Sequence, residues 1–137
     1  MKFLLLPVFV QVALTFGLTL ALGRSRVAAI KTGAVKLKDA AFRQDVWPDN
    51  VRKISNSYQN QLELPILFYA LCAFALATGL ADLTLTIGAW IFVILRCAHA
   101  YEHLGANNVV RRFQLFAAGV TVLVVLWLYF AARALLA

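Results

Sequence analysis

Charge is scarce in this chain. Only 14% of its 137 residues are Asp, Glu, Lys or Arg, against about 25% in a typical soluble domain. Hydrophobic residues make up 63%. A soluble protein of this size has too little interior to hide so much apolar surface. The composition therefore excludes a soluble globular domain and, equally, a disordered chain. Cysteine is sparse as well. Cys72 and Cys97 both fall inside apolar segments, with no spacing for a disulfide or a metal pair. They read as small buried apolar residues, and no metal is expected. Internal repeats and low-complexity tracts are absent. The length allows one compact unit, so residues 1–137 are expected to form a single domain.

What is present is four long apolar runs: Phe3–Leu22, Leu62–Leu80, Leu83–His103 and Phe113–Leu136. Each has the length of a helix crossing roughly 30 Å of hydrocarbon. Their continuous apolarity, without alternation, points to helices rather than strands. The expected fold is all-α, an integral membrane four-helix bundle. Too few residues remain outside the spans for a separate soluble domain.

The net charge of +7 is concentrated. Arg24, Arg26, Lys31, Lys36, Lys38, Arg43, Arg52 and Lys53 all lie in the first loop, about residues 23–57. A basic loop beside membrane spans marks the cytoplasmic side and can touch anionic lipid headgroups. It does not point to nucleic acid, because neither an aromatic-studded basic face nor a DNA-binding motif accompanies it. The first run resembles a secretory leader, but a leader carries its positive charge before the apolar stretch. Here Lys2 precedes it, and Arg24 and Arg26 follow at once. Both termini are expected outside, with loops one and three in the cytoplasm. Trp47-Pro48-Asp49-Asn50 reads as a turn with a cap at Asp49 or Asn50. A helix is expected from near Val51 straight into the second span.

Polar residues within spans are costly and informative. On a continuous helix, Arg52, Asn56, Asn60 and Glu63 share one face. Pro65 follows and would free the Gln61 carbonyl beside Glu63. In the third span, Arg96, His99 and His103 share a face by the same spacing. Glu63 and Arg96 fall at similar depth on antiparallel helices, so a contact between them is expected. An ion pair that merely fixes helix packing is the plainer reading of the two. Asn107 and Asn108 precede Arg111-Arg112, where cations and a helix N-terminus together suit an anion. For Arg111, a simple inside-positive flank accounts equally well. Together these residues, with Arg26, outline a polar pocket open to the cytoplasm. A small polyanionic, peptide-like ligand suits it, and an apolar co-substrate could approach from lipid.

Asn60-Gln-Leu-Glu63-Leu-Pro65, Arg96-Cys-Ala-His99 and Arg111-Arg112 before the fourth span resemble the MAPEG family. Its members are membrane-associated proteins in eicosanoid and glutathione metabolism; the likeness is to bacterial-type, microsomal glutathione transferase-like members and covers nearly the whole chain. The resemblance implies a homotrimer that binds glutathione as co-substrate between subunits. It implies glutathione-binding roles for Arg26, Arg52, Asn56, Asn60, Glu63, Arg96, His99 and His103, and a catalytic role for Arg112 near the sulfur. Some positions depart from the family pattern. Asn56 stands where family enzymes often carry arginine, and Arg52 lies one turn away. His103 replaces a common tyrosine, and Phe113 and Phe116 occupy hydroxyl-bearing positions of the prostaglandin-synthase branch. The expected function is a glutathione-dependent transferase or peroxidase acting on lipophilic electrophiles at the membrane. A non-catalytic MAPEG-fold protein binding glutathione or lipid is an alternative. A small proton-coupled exporter is a third reading, opposed by the acid-free first span and the long first loop.

Overall fold

The computed structural model describes residues 2–136, and helices are their only regular structure. A 3₁₀ turn at Lys2–Leu4 leads into α1 (Leu5–Lys31). Then come α2 (Leu37–Ala40), α3 (Asp49–Gln59), α4 (Leu64–Ala77), α5 (Leu83–Leu104) and α6 (Val109–Leu136). The helical stretches Lys2–Lys31, Asp49–Ala77, Leu83–Leu104 and Val109–Leu136 are each long and apolar enough to span a membrane. The protein is an integral, multi-pass membrane protein built as an all-α four-helix bundle.

Local chemistry explains why the spans are helical in lipid. Backbone groups must be satisfied within the segment, and the few hydroxyls follow suit. Thr15 donates to the Gln11 carbonyl at 3.0 Å, Thr19 to Thr15 at 2.8 Å, and Thr121 to Ala117 at 2.9 Å. Each hydroxyl thus bonds the carbonyl one turn back. Large apolar side chains such as Phe9, Phe16, Ile94 and Leu128 face outward. In water that surface would drive aggregation; against acyl chains it costs nothing.

The bundle core lies among α4, α5 and α6, closed at the N-terminal end by Leu4. Phe68 and Phe92 stack at 4.8 Å between centroids, with Ala75, Leu85, Ala89 and Leu123 packed around them. Gly88 lets α5 approach α6, where a Cβ would run into the Leu126 side chain. A second, smaller cluster joins Leu22 and Ala29 of α1 to Val35, Trp47 and Val51. It folds the first loop back onto α1, and Arg26 lies over the Trp47 ring at 5.2 Å.

The structure departs from the expected second span. α3 and α4 are separate helices, with a break at residues 60–63 where Glu63 adopts φ −98° and ψ −95°. Pro65 sits in the first turn of α4, where its missing N–H costs nothing, so it starts a helix instead of kinking one. α4 alone covers about 21 Å at 1.5 Å per residue, short of the roughly 30 Å of a hydrocarbon core. The expected side-chain cap at the start of α3 is also absent. Pro48 holds the N-cap position, and Asp49 instead reaches Arg52 at 3.4 Å.

Candidate functional site

The break places polar groups where a continuous helix would have buried its own backbone. Gln61 turns inward, accepts from Gln11 Nε2 at 2.9 Å and donates to the Ser57 carbonyl at 3.1 Å. The Asn60 carbonyl accepts from Arg96 Nη2 at 2.8 Å. Arg96 is only 1% exposed, and its Nε and Nη1 have no hydrogen-bond partner among the described residues. The expected Glu63–Arg96 contact does not form: none of the ion pairs among the described residues joins them. Breaking the helix turns the Asn60 carbonyl to the guanidinium and leaves Glu63 exposed.

Beside this buried layer lies a cleft of about 300 Å³ lined by Asn60, Glu63, His99, Val109, Arg112, Phe113 and Phe116. That size is at the lower end of small-molecule sites. An amide, a carboxylate, an imidazole and a guanidinium thus meet an apolar wall. His99 contributes an imidazole whose Nδ1 has no protein partner among the described residues. Arg112 enters from the first turn of α6. Its Nη1 donates to Asn107 Oδ1 at 2.7 Å, and its Nε has no partner among the described residues.

The α5–α6 connection builds the Arg112 end of the cleft. Asn107 has φ 54°, the left-handed conformation that asparagine tolerates better than most residues. Its N–H donates to the Glu102 carbonyl at 2.8 Å. Asn108 Oδ1 accepts from Arg111 N at 3.1 Å, capping α6, while Asn108 N donates to Glu102 Oε1 at 3.1 Å. Two adjacent asparagines therefore do different work: one caps the helix and the other holds Arg112.

The remaining anticipated residues are distributed elsewhere. Arg52 and Asn56 line a separate polar cleft of about 430 Å³ with Gln44, Asp45, Trp47, Ser55 and Gln59. His103 is buried behind His99, with ring centroids 5.9 Å apart. Arg26 is engaged with Trp47. The structure brings together Asn60, Glu63, His99 and Arg112, and leaves Arg26, Arg52, Asn56, Arg96 and His103 outside that cleft's lining.

Two polar features escaped sequence reasoning. Gln11 is fully buried and latches α1 to the helix break; a lone amide in an otherwise apolar span was its signal. At the opposite end of the bundle, Asp82 caps α5 by accepting from Leu85 N at 2.8 Å. It also accepts from the Tyr129 hydroxyl at 2.6 Å and pairs with Arg133. Its signal was an acid directly before an apolar run.

A sequence model of the MAPEG family matches residues 4–132. The chain belongs to the MAPEG family. No curated protein and no solved structure matches it significantly. Family membership agrees with the four-helix membrane architecture. Three of the cleft's polar groups, Asn60, Glu63 and His99, belong to the Asn-x-x-Glu and Arg-x-x-His stretches. Arg112 supplies the fourth.

Proposed function

We propose that this MAPEG protein is a glutathione-dependent transferase or peroxidase acting on lipophilic electrophiles from the membrane. The observation that carries the proposal is the cleft itself, in which Asn60, Glu63, His99 and Arg112 meet the apolar Val109, Phe113 and Phe116. The donor set fits a small zwitterionic peptide thiol: a carboxylate for an ammonium, an amide for peptide groups, and a guanidinium for the sulfur as thiolate. The unpaired His99 Nδ1 and Arg112 Nε leave polar capacity for such a ligand. Bound glutathione would supply a thiol nucleophile. Arg112 and the N-terminus of α6 would hold the sulfur as thiolate, the reactive form. Asn107 would keep Arg112 aimed, and the phenylalanines would admit an apolar partner from lipid while excluding water.

Glu63 lies exposed on a single subunit, which supports a homotrimer in which a neighbour closes the site. Arg26, Arg52, Asn56, Arg96 and His103 belong to this proposal as contributors to the wider glutathione-binding surface. The basic first loop supports an orientation with both termini outside, and the likeness to bacterial-type members supports a bacterial inner membrane.

A second reading, a non-catalytic binder, draws on one specific feature. Phe113 and Phe116 offer no hydroxyl to assist Arg112. Ultraviolet absorbance of the thiolate separates the two readings. With glutathione added near neutral pH, wild type should form thiolate. Arg112→Ala should lose it and cut turnover by about 10²–10³ at matched occupancy, the scale of one lost electrostatic contact to developing charge. Asn60→Ala and Glu63→Gln should weaken binding first. Protein that binds glutathione without forming thiolate would establish the binder instead.

A further inference from the structure

Most exposed apolar side chains lie on the four spans, where acyl chains cover them. Leu37 and Phe42 do not. They sit in the first loop, 70% and 93% exposed, and Phe42 is the most exposed large apolar residue described. The hydrocarbon core that covers the spans does not account for their exposure.

Their height along the bundle is fixed at both ends of the segment. Val35 N donates to the Ala29 carbonyl at 3.3 Å, anchoring one end to the last turns of α1. Trp47 shares a buried cluster with Leu22 and Ala29 and lies under Arg26, so the chain has turned back toward the span by the other end. From Leu22 to Ala29 is about 10 Å along a helix. Leu22 is also where the apolar run gives way to Gly23-Arg24. Residues 36–46 are thus strung alongside the last turns of α1, just beyond its apolar run, which is headgroup level when that run fills the hydrocarbon core; Trp47 itself is buried against α1.

The charges on this segment match that level. Lys36 and Lys38 flank Leu37, and neither forms an ion pair among the described residues. Arg24 and Lys31 are exposed on neighbouring turns of α1. Arg43 is engaged by Asp45 at 2.7 Å, which leaves the two lysines as the segment's uncommitted cations. Alternating lysines and exposed apolar residues at a membrane boundary suit anionic headgroups over a shallow apolar layer.

We infer that residues 36–46 dock on an anionic lipid surface, with Leu37 and Phe42 immersed at the headgroup level and Lys36 and Lys38 on the phosphates. Docking would tie the loop, and through Trp47 and Val51 the start of α3, to the bilayer. α3 ends at the break that forms the candidate site, so the lipid surface would steady one wall of that site.

Photo-crosslinking tests this. The photoreactive amino acid p-benzoyl-phenylalanine replaces Phe42 in full-length protein, reconstituted in nanodiscs of phosphatidylcholine with or without phosphatidylglycerol. The same replacement of lipid-facing Leu128 serves as reference. Mass spectrometry should find lipid adducts at position 42, enriched several-fold in phosphatidylglycerol over its share of the bilayer. Lys36→Gln with Lys38→Gln should abolish the enrichment. So should about 1 M salt, where screening shrinks to about 3 Å. Position 128 should show neither effect. A crosslink to a second copy, or no lipid adduct at position 42 while position 128 gives one, would overturn the inference. Lipid adducts without anionic enrichment would overturn its electrostatic half. These readouts do not depend on glutathione chemistry.

Discussion

The two halves of this bundle are built on opposite principles. Toward the Asp82 end, α4, α5 and α6 bury Phe68, Ala75, Leu85, Ala89, Phe92 and Leu123 in an apolar core. Toward the other end, the interior holds Gln11, Ser57, Gln61, Arg96, His99 and His103. Several of their polar atoms lack protein partners among the described residues. Buried polar groups without partners are costly anywhere and more so in a membrane. The first half supplies cohesion; the second spends part of it to keep polar side chains beside a cleft. Places where local rules are broken tend to be functional.

Substitution across the two halves should show this division most strongly. Phe92→Ala removes a ring stacked on Phe68 and should cost about 3–5 kcal/mol. Arg96→Met removes a buried cation of similar reach. It forfeits the bond to the Asn60 carbonyl but relieves the desolvation of an uncompensated charge. The desolvation penalty of a buried ion is several kcal/mol, more than the one hydrogen bond lost, so the replacement should be close to neutral or stabilising. Thermal unfolding in detergent should therefore show Phe92→Ala far below wild type and Arg96→Met near or above it, with glutathione binding lost in the latter. Comparable destabilisation by both would mean the polar half is as structural as the apolar one.

Sequence reasoning reached the apolar half easily and the polar half only in part. Continuous apolar runs under a lipid constraint admit little but helices, so the four spans were legible. Asn60, Glu63 and His99 stood out in the sequence, together with Arg52, Asn56, Arg96 and His103, because polar groups in or beside spans are rare, and Arg112 stood out as a cation opening the fourth span. Their arrangement was not legible, because it depends on the break at residues 60–63. Helical spacing put Arg52 and Asn56 on one face with Glu63, whereas the break separates them into two clefts. The same break swapped the partner of Arg96 from the Glu63 carboxylate to the Asn60 carbonyl. Periodicity reports which face a residue occupies on an unbroken helix; it carries no signal for a backbone that stops and restarts before a proline.

At the Asp82 end, one polar knot complements the apolar core, and it titrates outside the spans. Burial acts to raise the Asp82 carboxyl, but the Leu85 N–H, the Tyr129 hydroxyl and the Arg133 charge outweigh it and hold it below its usual range. A lowered folded-state value means the contribution is present above the unfolded value of about 3.9 and fades as pH falls through the folded one. Acidification from about pH 6 to below about pH 4 should lower the unfolding temperature of wild type. Asp82→Asn should start lower and respond less over the same window. Identical pH profiles would remove Asp82 from the account of how α5 and α6 are held.

The smallest expected effect lies at the seam between the halves. Gln11 and Gln61 meet amide to amide at 2.9 Å, joining α1 to the helix break. Both are buried, and Gln61 also donates back to the Ser57 carbonyl. In water-free surroundings such a bond looks as though it should dominate. However, measured interhelical hydrogen bonds in membranes average about 0.6 kcal/mol and reach about 1.7. The reason is that amides released within a bilayer find other partners. Gln11→Leu, Gln61→Leu and the double variant, compared in a thermodynamic cycle, should give a coupling in that range. Zero coupling would mean α1 is held at this level by packing alone, and the break would then owe nothing to Gln11. Coupling well above that range would instead mark the pair as the principal latch on the broken helix. The Gln11 single variant would then have to disturb the Asn60–Arg96 bond and ligand binding together.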